Sequence, residues 1–463
     1  MKKFLSLFLA AATALVASAQ AKYVFFFIGD GMGMGHVNAA ETYNRDVLGN
    51  ETPLLMLTFP VASQSRTYSA SSPVTDSAAA GTALSTGSKT VNYRLGMAPD
   101  STNVYSISRD FIEAGRAVGI ATSVAGDDAT PGAFYGHGLS RSDVLDIAPG
   151  AIGSGVAFLA GGSFKILDAA GDAGEKWLGG MKADGYTAVK GRRAYDALSA
   201  KQKKKVLMMA ETDYWDQIGY TIDSIPGALT LPEITEACLQ TVQTADKGEG
   251  FFMMVEGGNI DWAAHANDAG TVIKEILNFQ QAIGVAYDFY LAHPEETLII
   301  ITADHDTGGM ALGRADNHRN VHLEYIDAQR QSKDRFADLC RERKAGGKEL
   351  SWPEMQQYLR DMLGFWSVIP LTDEETRALE ETFDATFITR EAADSKTLYN
   401  DFNAFTAKVY DIQNHHIGTG WPSDNHTGNF VPVYAIGKGA ELFTGNLDNT
   451  LIPELIRRAA FGK

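Results

Sequence analysis

Three apolar runs of strand length each end in a carboxylate, and this repeat restricts the fold more than any other feature of the chain. The runs are Tyr23-Val24-Phe25-Phe26-Phe27-Ile28 before Gly29-Asp30, Phe251-Phe252-Met253-Met254-Val255 before Glu256, and Thr297-Leu298-Ile299-Ile300-Ile301-Thr302 before Ala303-Asp304-His305. Runs without polar interruption suit strands buried on both faces. Helical stretches lie between them, among them Pro232 to Asp246 and Ala269 to Leu291, the latter with Val272, Ile276, Phe279 and Ile283 on one stripe. The expected fold class is therefore α/β, a largely parallel central sheet flanked by helices. Ligands of such sheets bind outside the carboxyl ends of the strands. Asp30, Glu256 and Asp304 then converge on one crevice, with Asp261, His265 and His305 close by.

Several carboxylates cannot share a crevice in ionised form without cations between them. Mixed Asp and His donors suit zinc, whereas Glu, Asp and Thr oxygens alone suit magnesium. Each residue taken singly reads as a turn or surface acid; their coincidence at three strand ends points to a metal site. His426, just before a last core strand at Val431 to Ile436, is the better-placed third ligand for a catalytic zinc with Asp261 and His265. Asn414-His415-His416 is assigned a structural or surface role, because adjacent residues seldom face one metal.

Val74-Thr75-Asp76-Ser77-Ala78-Ala79 runs from polar residues into an alanine-rich helix. Asp76 is a favourable N-cap, and Ser77 falls in the first turn, where free N–H groups favour an anion. Alone this is a capped helix. Beside a metal-binding crevice, Ser77 becomes a nucleophile for a phosphate. Gly126-Asp127-Asp128-Ala129-Thr130-Pro131, followed by His137 and Arg141, has the composition of a turn. Two phosphate-binding fingerprints fail: the glycines around Asp30 lack the acid of a dinucleotide site, and the lysine of Gly87-Ser88-Lys89-Thr90 does not directly follow the second glycine.

The formal net charge of −17 argues against nucleic acid or an anionic membrane as partner. Lys2, Lys3, an apolar stretch from Phe4 to Val16 and Ala17-Ser18-Ala19 form a secretory signal, residues 1–19, and imply a periplasmic or secreted product with no membrane anchor. Residues 20–463 read as a single catalytic domain. Within it, the charged segment at about 314–420 breaks the strand–helix rhythm and reads as a helical insertion or cap. Gly150 to Gly162 reads as a loop. Cys238 and Cys340 leave one disulfide open and rule out a cysteine-ligated zinc.

As a set, Gly29-Asp30-Gly31-Met32, Val74 to Ala79, Asp128-Ala129-Thr130-Pro131 with Arg141, Val255-Glu256-Gly257 with Asp261 and His265, Thr302-Ala303-Asp304-His305, and His426-Thr427-Gly428 resemble the alkaline phosphatase family, in family order across nearly the whole mature chain. The resemblance implies hydrolysis of small phosphate monoesters through a covalent phosphoserine on Ser77, with Arg141 clamping two phosphate oxygens. It implies two zinc ions and one magnesium per chain. Asp261, His265 and His426 would hold the first zinc, and Asp30, Asp304 and His305 the second, which also meets Ser77. Asp30, Thr130 and Glu256 with waters would hold magnesium, with Asp128 behind. A homodimer is left open. One departure stands out: directly after Asp261 the family often places a Lys or His that reaches phosphate through water, and here the residue is Trp262, with one N–H and no charge. The alternatives are a phosphodiesterase or sulfatase on the same fold, or a periplasmic phosphate- or metal-binding protein without turnover. Ser77-Ala78-Ala79 lacks the Cys/Ser-x-Pro-x-Arg sequence that a sulfatase needs.

Overall fold

The computed structural model describes residues 20–211, 216–317, 319–345, 351–397 and 401–462; the expected signal peptide lies outside them. The three apolar runs form adjacent strands at the middle of one sheet. Strand β1 is Tyr23–Ile28, and the other strands in chain order are β2 (Val61–Arg66), β3 (Ala117–Thr122), β4 (Phe158–Ala160), β5 (Thr187–Lys190), β6 (Val206–Met209), β7 (Phe251–Glu256), β8 (Thr297–Thr302), β9 (Val431–Gly437) and β10 (Asn446–Asp448). Their spatial order is β10-β2-β9-β8-β1-β7-β3-β4-β6-β5. All pairings are parallel except those of β9, which runs antiparallel to both β8 and β2. The sheet is thus largely parallel, as the strand–helix alternation requires.

Register decides what the strand ends can do. Ile28 lies opposite Glu256 on one side and Thr302 on the other. The three runs therefore stop level with one another, and the acids that follow leave the sheet at the same edge. Side chains alternate across the sheet with period two. Phe25 and Phe27 enter the core beneath the helix Ala269–Ala292, with Val272, Ile276, Phe279 and Ile283. Val24, Phe26 and Ile28 enter the opposite core with Ile452, Leu455 and Ile456 of the helix Leu451–Phe461. All three phenylalanines are fully buried, each contributing about 2–3 kcal/mol of apolar transfer as an upper estimate.

One sequence reading needs correction. Gly150 to Gly162 is not all loop, for it contains β4, which pairs with β3 and β6. The last core strand, β9, runs antiparallel to its neighbours, a sense that the sequence did not indicate. β2, β5 and β10 have no continuous apolar run (β2 is Val-Ala-Ser-Gln-Ser-Arg), so periodicity does not mark them. The helices Lys333–Ala345, Trp352–Leu363, Asp373–Phe383 and Ala404–Ile417 build a small apolar cluster of their own, including Phe336, Leu359, Phe383 and Phe405. Cys340 belongs to that cluster and Cys238 to the main core; both are free and buried, so no disulfide joins them. Among the described residues, no helix is long and apolar enough to cross a membrane.

Candidate active site

Asp30 follows β1 in a turn that only glycines can make. Gly31 has φ +69°, and a Cβ there would lie 2.8 Å from both Asp261 Oδ1 and Thr307 Oγ1. A Cβ on Gly33 would overlap Asp306 Oδ1 at 1.7 Å. These close approaches let the turns after β1 and β8 and the helix Asn259–His265 meet. That short helix carries Asp261 and His265 four residues apart, hence on one face. His426 arrives from far along the chain through a two-residue antiparallel ribbon, in which it pairs with Thr307.

The acids and histidines interlock. His305 Nε2 lies 3.3 Å from Asp30 Oδ1 and 3.2 Å from Asp304 Oδ2. His265 Nε2 lies 3.4 Å from Asp261 Oδ1 and 3.1 Å from His426 Nε2. Among the described residues, two groups have donor atoms all within 4.8 Å of one another: Asp30, Asp304 and His305, and Asp261, His305 and His426. The second differs from the sequence grouping by taking His305, while His265 stays adjacent to both Asp261 and His426. The far nitrogens of the histidines are oriented by main-chain and hydroxyl oxygens. His265 Nδ1 meets Asp424 O at 2.6 Å, His426 Nδ1 meets Thr75 O at 2.8 Å, and His305 Nδ1 meets Thr307 Oγ1 at 3.1 Å. Such partners fix the ring and leave Nε2 to a ligand.

Burial without compensation is what a group of residues able to hold a cation would show. Asp30 Oδ1, Asp261 Oδ2, Asp304 Oδ2 and Thr130 Oγ1 are buried with no hydrogen bond to satisfy them. Desolvation, followed by repulsion from Asp261, pushes Asp304 up to about 6. Burial pushes Glu256 up to about 8 even though Thr122 Oγ1 donates to its carboxylate. Asp30 is raised well above its ordinary value by burial and then by Asp304. His305 is driven well below its usual range by burial, with the neighbouring His426 and His265 adding to it. Neutral imidazoles beside carboxylates that lack counter-charge are the donor set a divalent cation completes.

Ser77 stands at the edge of this cluster. Asp76 caps the helix Ser77–Thr86, its Oδ1 accepting from Ala79 N and from Tyr93 N, both at 3.0 Å. Capping is thereby assigned to Asp76, and the Ser77 hydroxyl turns to the cluster: its Oγ lies 3.1 Å from His305 Nε2 and accepts from Arg141 Nη1 at 3.3 Å. Arg141 reaches back to Asp128 Oδ1 through Nη2 at 3.1 Å. A cavity of about 530 Å³ opens here, lined by Asp76, Tyr93, Arg141, Lys165 and His426. Trp262 is half-buried and packs against the main core. His415 and His416 pair with Asp316 and Glu375, outside the cluster.

Sequence reasoning missed Thr307, Thr122, Asp306 and Lys165. Thr307 Oγ1 donates to Asp261 Oδ1 at 2.5 Å. Asp306 accepts from Thr427 and lies 3.5 Å from the buried His36, bracing the ribbon that carries His426. Asp306 and Thr307 directly follow His305, so the polar run Asp304-His305-Asp306-Thr307 was the available signal. Lys165 had none.

Fold and site together define a class: an α/β sandwich whose helix-start serine faces overlapping acid–histidine clusters at the carboxyl edge of a largely parallel sheet. The sequence model of the family described as alkaline phosphatase matches residues 21–157 and 168–461. The chain is 32% identical to alkaline phosphatase 3 of Bacillus subtilis over 449 residues, covering 95% of this chain and 88% of that protein. Among solved structures, the cold-active alkaline phosphatase of a psychrophilic Shewanella superposes with TM-score 0.77 at 28% identity, over 94% of this chain and 98% of that one. A mutant of the alkaline phosphatase from the Antarctic bacterium TAB5, solved with magnesium bound, has the same fold, with TM-score 0.64 at 23% identity over 96% of this chain and 98% of that one. The chain belongs to the alkaline phosphatase family.

Proposed function

We propose that this protein hydrolyses phosphate monoesters to an alcohol and inorganic phosphate through a phosphoserine on Ser77, with two zinc ions and one magnesium. The observation that carries the reading is Ser77 Oγ lying between His305 Nε2 and Arg141 Nη1 at the rim of the acid–histidine cluster. Asp261, His265 and His426 would hold one zinc, Asp30, Asp304 and His305 the other, and Asp30, Thr130 and Glu256 the magnesium. When bound, these ions supply Lewis-acid stabilisation of the oxygens entering and leaving phosphorus. The chain's own part is positional. Asp76 fixes the helix start, Arg141 presents a fork to two phosphate oxygens, and the Nδ1 partners keep the three histidines turned the same way. Residues 20–463 act as one catalytic domain, with the segment 314–420 as its cap, and residues 1–19 direct secretion to the periplasm or beyond.

Charge balance supports a monoester over its competitors. Asp30, Asp76, Asp128, Glu256, Asp261 and Asp304 bring six negative charges to the centre, against one positive charge each from Arg141 and Lys165. Three divalent cations turn that deficit of four into an excess of two, which matches a monoester dianion; a diester or sulfate ester carries a single charge. The test is metal content together with rates on an aryl phosphate monoester, the matching diester and the matching sulfate. We expect the monoester to be preferred by roughly three orders of magnitude or more in kcat/KM; a preference for the diester would overturn the reading.

Product release is expected to depend on Trp262, which follows Asp261 directly and offers phosphate no charge. Trp262→Lys is expected to tighten competitive inhibition by inorganic phosphate about tenfold, the worth of one added charge-assisted contact. An inhibition constant unchanged from wild type would count against that role.

A further inference from the structure

The segment carrying Lys165 is gripped by two consecutive acids. Asp127, buried beneath it, accepts from Lys165 N at 2.7 Å and from Ile166 N at 2.9 Å. Its neighbour Asp128 takes the Lys165 ammonium on Oδ2 at 2.8 Å, while its Oδ1 takes Arg141 Nη2 at 3.1 Å. Arg141 in turn has Asp76 Oδ2 3.5 Å from Nη1. Lys165 keeps its side chain about one-third exposed, in the wall of the same 530 Å³ cavity as Arg141. It lies between the two stretches that the family model matches, so its role rests on this chain's own geometry.

Two carboxylates on one guanidinium would leave a net negative arm pointing at an incoming phosphate dianion. Lys165 cancels one of them. Because Asp127 fixes the backbone at Lys165, the ammonium reaches Asp128 without an ordering cost at each turnover. We propose that Lys165 is a positioning residue that neutralises Asp128, so that Arg141 remains available to the phosphate, and that it supplies from a separate part of the chain the positive charge that Trp262 lacks.

This inference rests on the phosphatase reading, but binding of inorganic phosphate to the metal-loaded protein tests it apart from turnover. Titration calorimetry would compare wild type, Lys165→Met, Lys165→Arg and the double variant Lys165→Met with Asp128→Asn. Lys165→Met should weaken phosphate binding roughly tenfold, Lys165→Arg should restore it, and the double variant should recover most of the loss because no uncompensated carboxylate remains beside Arg141. In turnover, KM should rise with kcat changed by about threefold or less. Should Lys165→Met fail to melt cooperatively, Lys165→Gln takes its place. A wild type that binds phosphate but does not turn over the monoester sinks the phosphatase reading and leaves this test intact. Phosphate affinity unchanged in Lys165→Met, or no recovery in the double variant, overturns the role of Lys165.

Discussion

Replacing Ser77 by alanine is expected to lower kcat on an aryl phosphate by roughly three orders of magnitude or more, with little change in stability. The size follows from what the hydroxyl does in the proposed reaction: without Oγ no covalent phosphoserine forms, and any residual rate comes from water attacking directly at a centre still carrying Arg141 and the metal ligands. The stability half of the expectation follows from the local structure. The helix Ser77–Thr86 is started by Asp76, whose Oδ1 accepts from Ala79 N, so the cap survives the substitution. Among the described residues, Ser77 Oγ bonds outward, to His305 and Arg141. Loss of a neutral hydroxyl there costs about 1 kcal/mol or less. Rates over a range of metal concentrations, with melting curves for both proteins, check the two halves together. A Ser77→Ala protein as active as wild type would remove the nucleophile from the account. A protein inactive because it no longer folds would show in the melting curve.

Much of this centre was legible in the sequence because its acids follow the most regular part of the chain. An uninterrupted apolar run fixes a buried strand, the alternation with helices makes neighbouring strands parallel, and parallel strands share a carboxyl edge. Asp30, Glu256 and Asp304 could therefore be placed together before any coordinates, and Asp261 with His265 followed from their four-residue spacing. His426 was legible by position, just ahead of a core strand, although the antiparallel sense of that strand was not; alternation with helices says nothing about a strand that enters after a long insertion. What sequence did not reveal depends on tertiary approach. Thr307 matters because Gly31 lets it come beside Asp261, and Lys165 because Asp127 folds its segment over Asp128. Neither contact has a fixed spacing in sequence. Trp262 was noticed only as a departure from a family pattern, and its consequence becomes concrete only beside Lys165.

Stripping the metals is expected to make the protein's stability fall as pH rises, the reverse of the behaviour of a domain held by paired carboxylates. The sign follows from the direction of each shift. Asp304 and Glu256 have folded-state values raised to about 6 and about 8, chiefly by burial, and Asp30 is raised as well. In the unfolded chain the same groups ionise near pH 4. Between pH 4 and the folded values the native state holds protons that the unfolded state has released, so stability declines with rising pH across that window and is flat above it. With each unit worth about 1.4 kcal/mol, the loss is on the order of several kcal/mol, or roughly 5–10 °C in melting temperature. His305 and His426, lowered by burial, act oppositely: they cost stability as pH falls below about 6.5, where the unfolded chain takes up protons. The metal-free protein should therefore melt highest near slightly acidic pH and decline until about pH 8, where the loss levels off. Bound cations replace the missing protons and keep the carboxylates charged, which abolishes the alkaline decline; below about pH 5 protons displace the cations and the two forms converge. Melting curves from pH 5 to 9, with and without a chelator, should give a difference that starts near zero, widens up to about pH 8 and then levels off. A metal-free protein equally stable at pH 6.5 and pH 8 would mean that the buried acids are balanced by something other than metal ions.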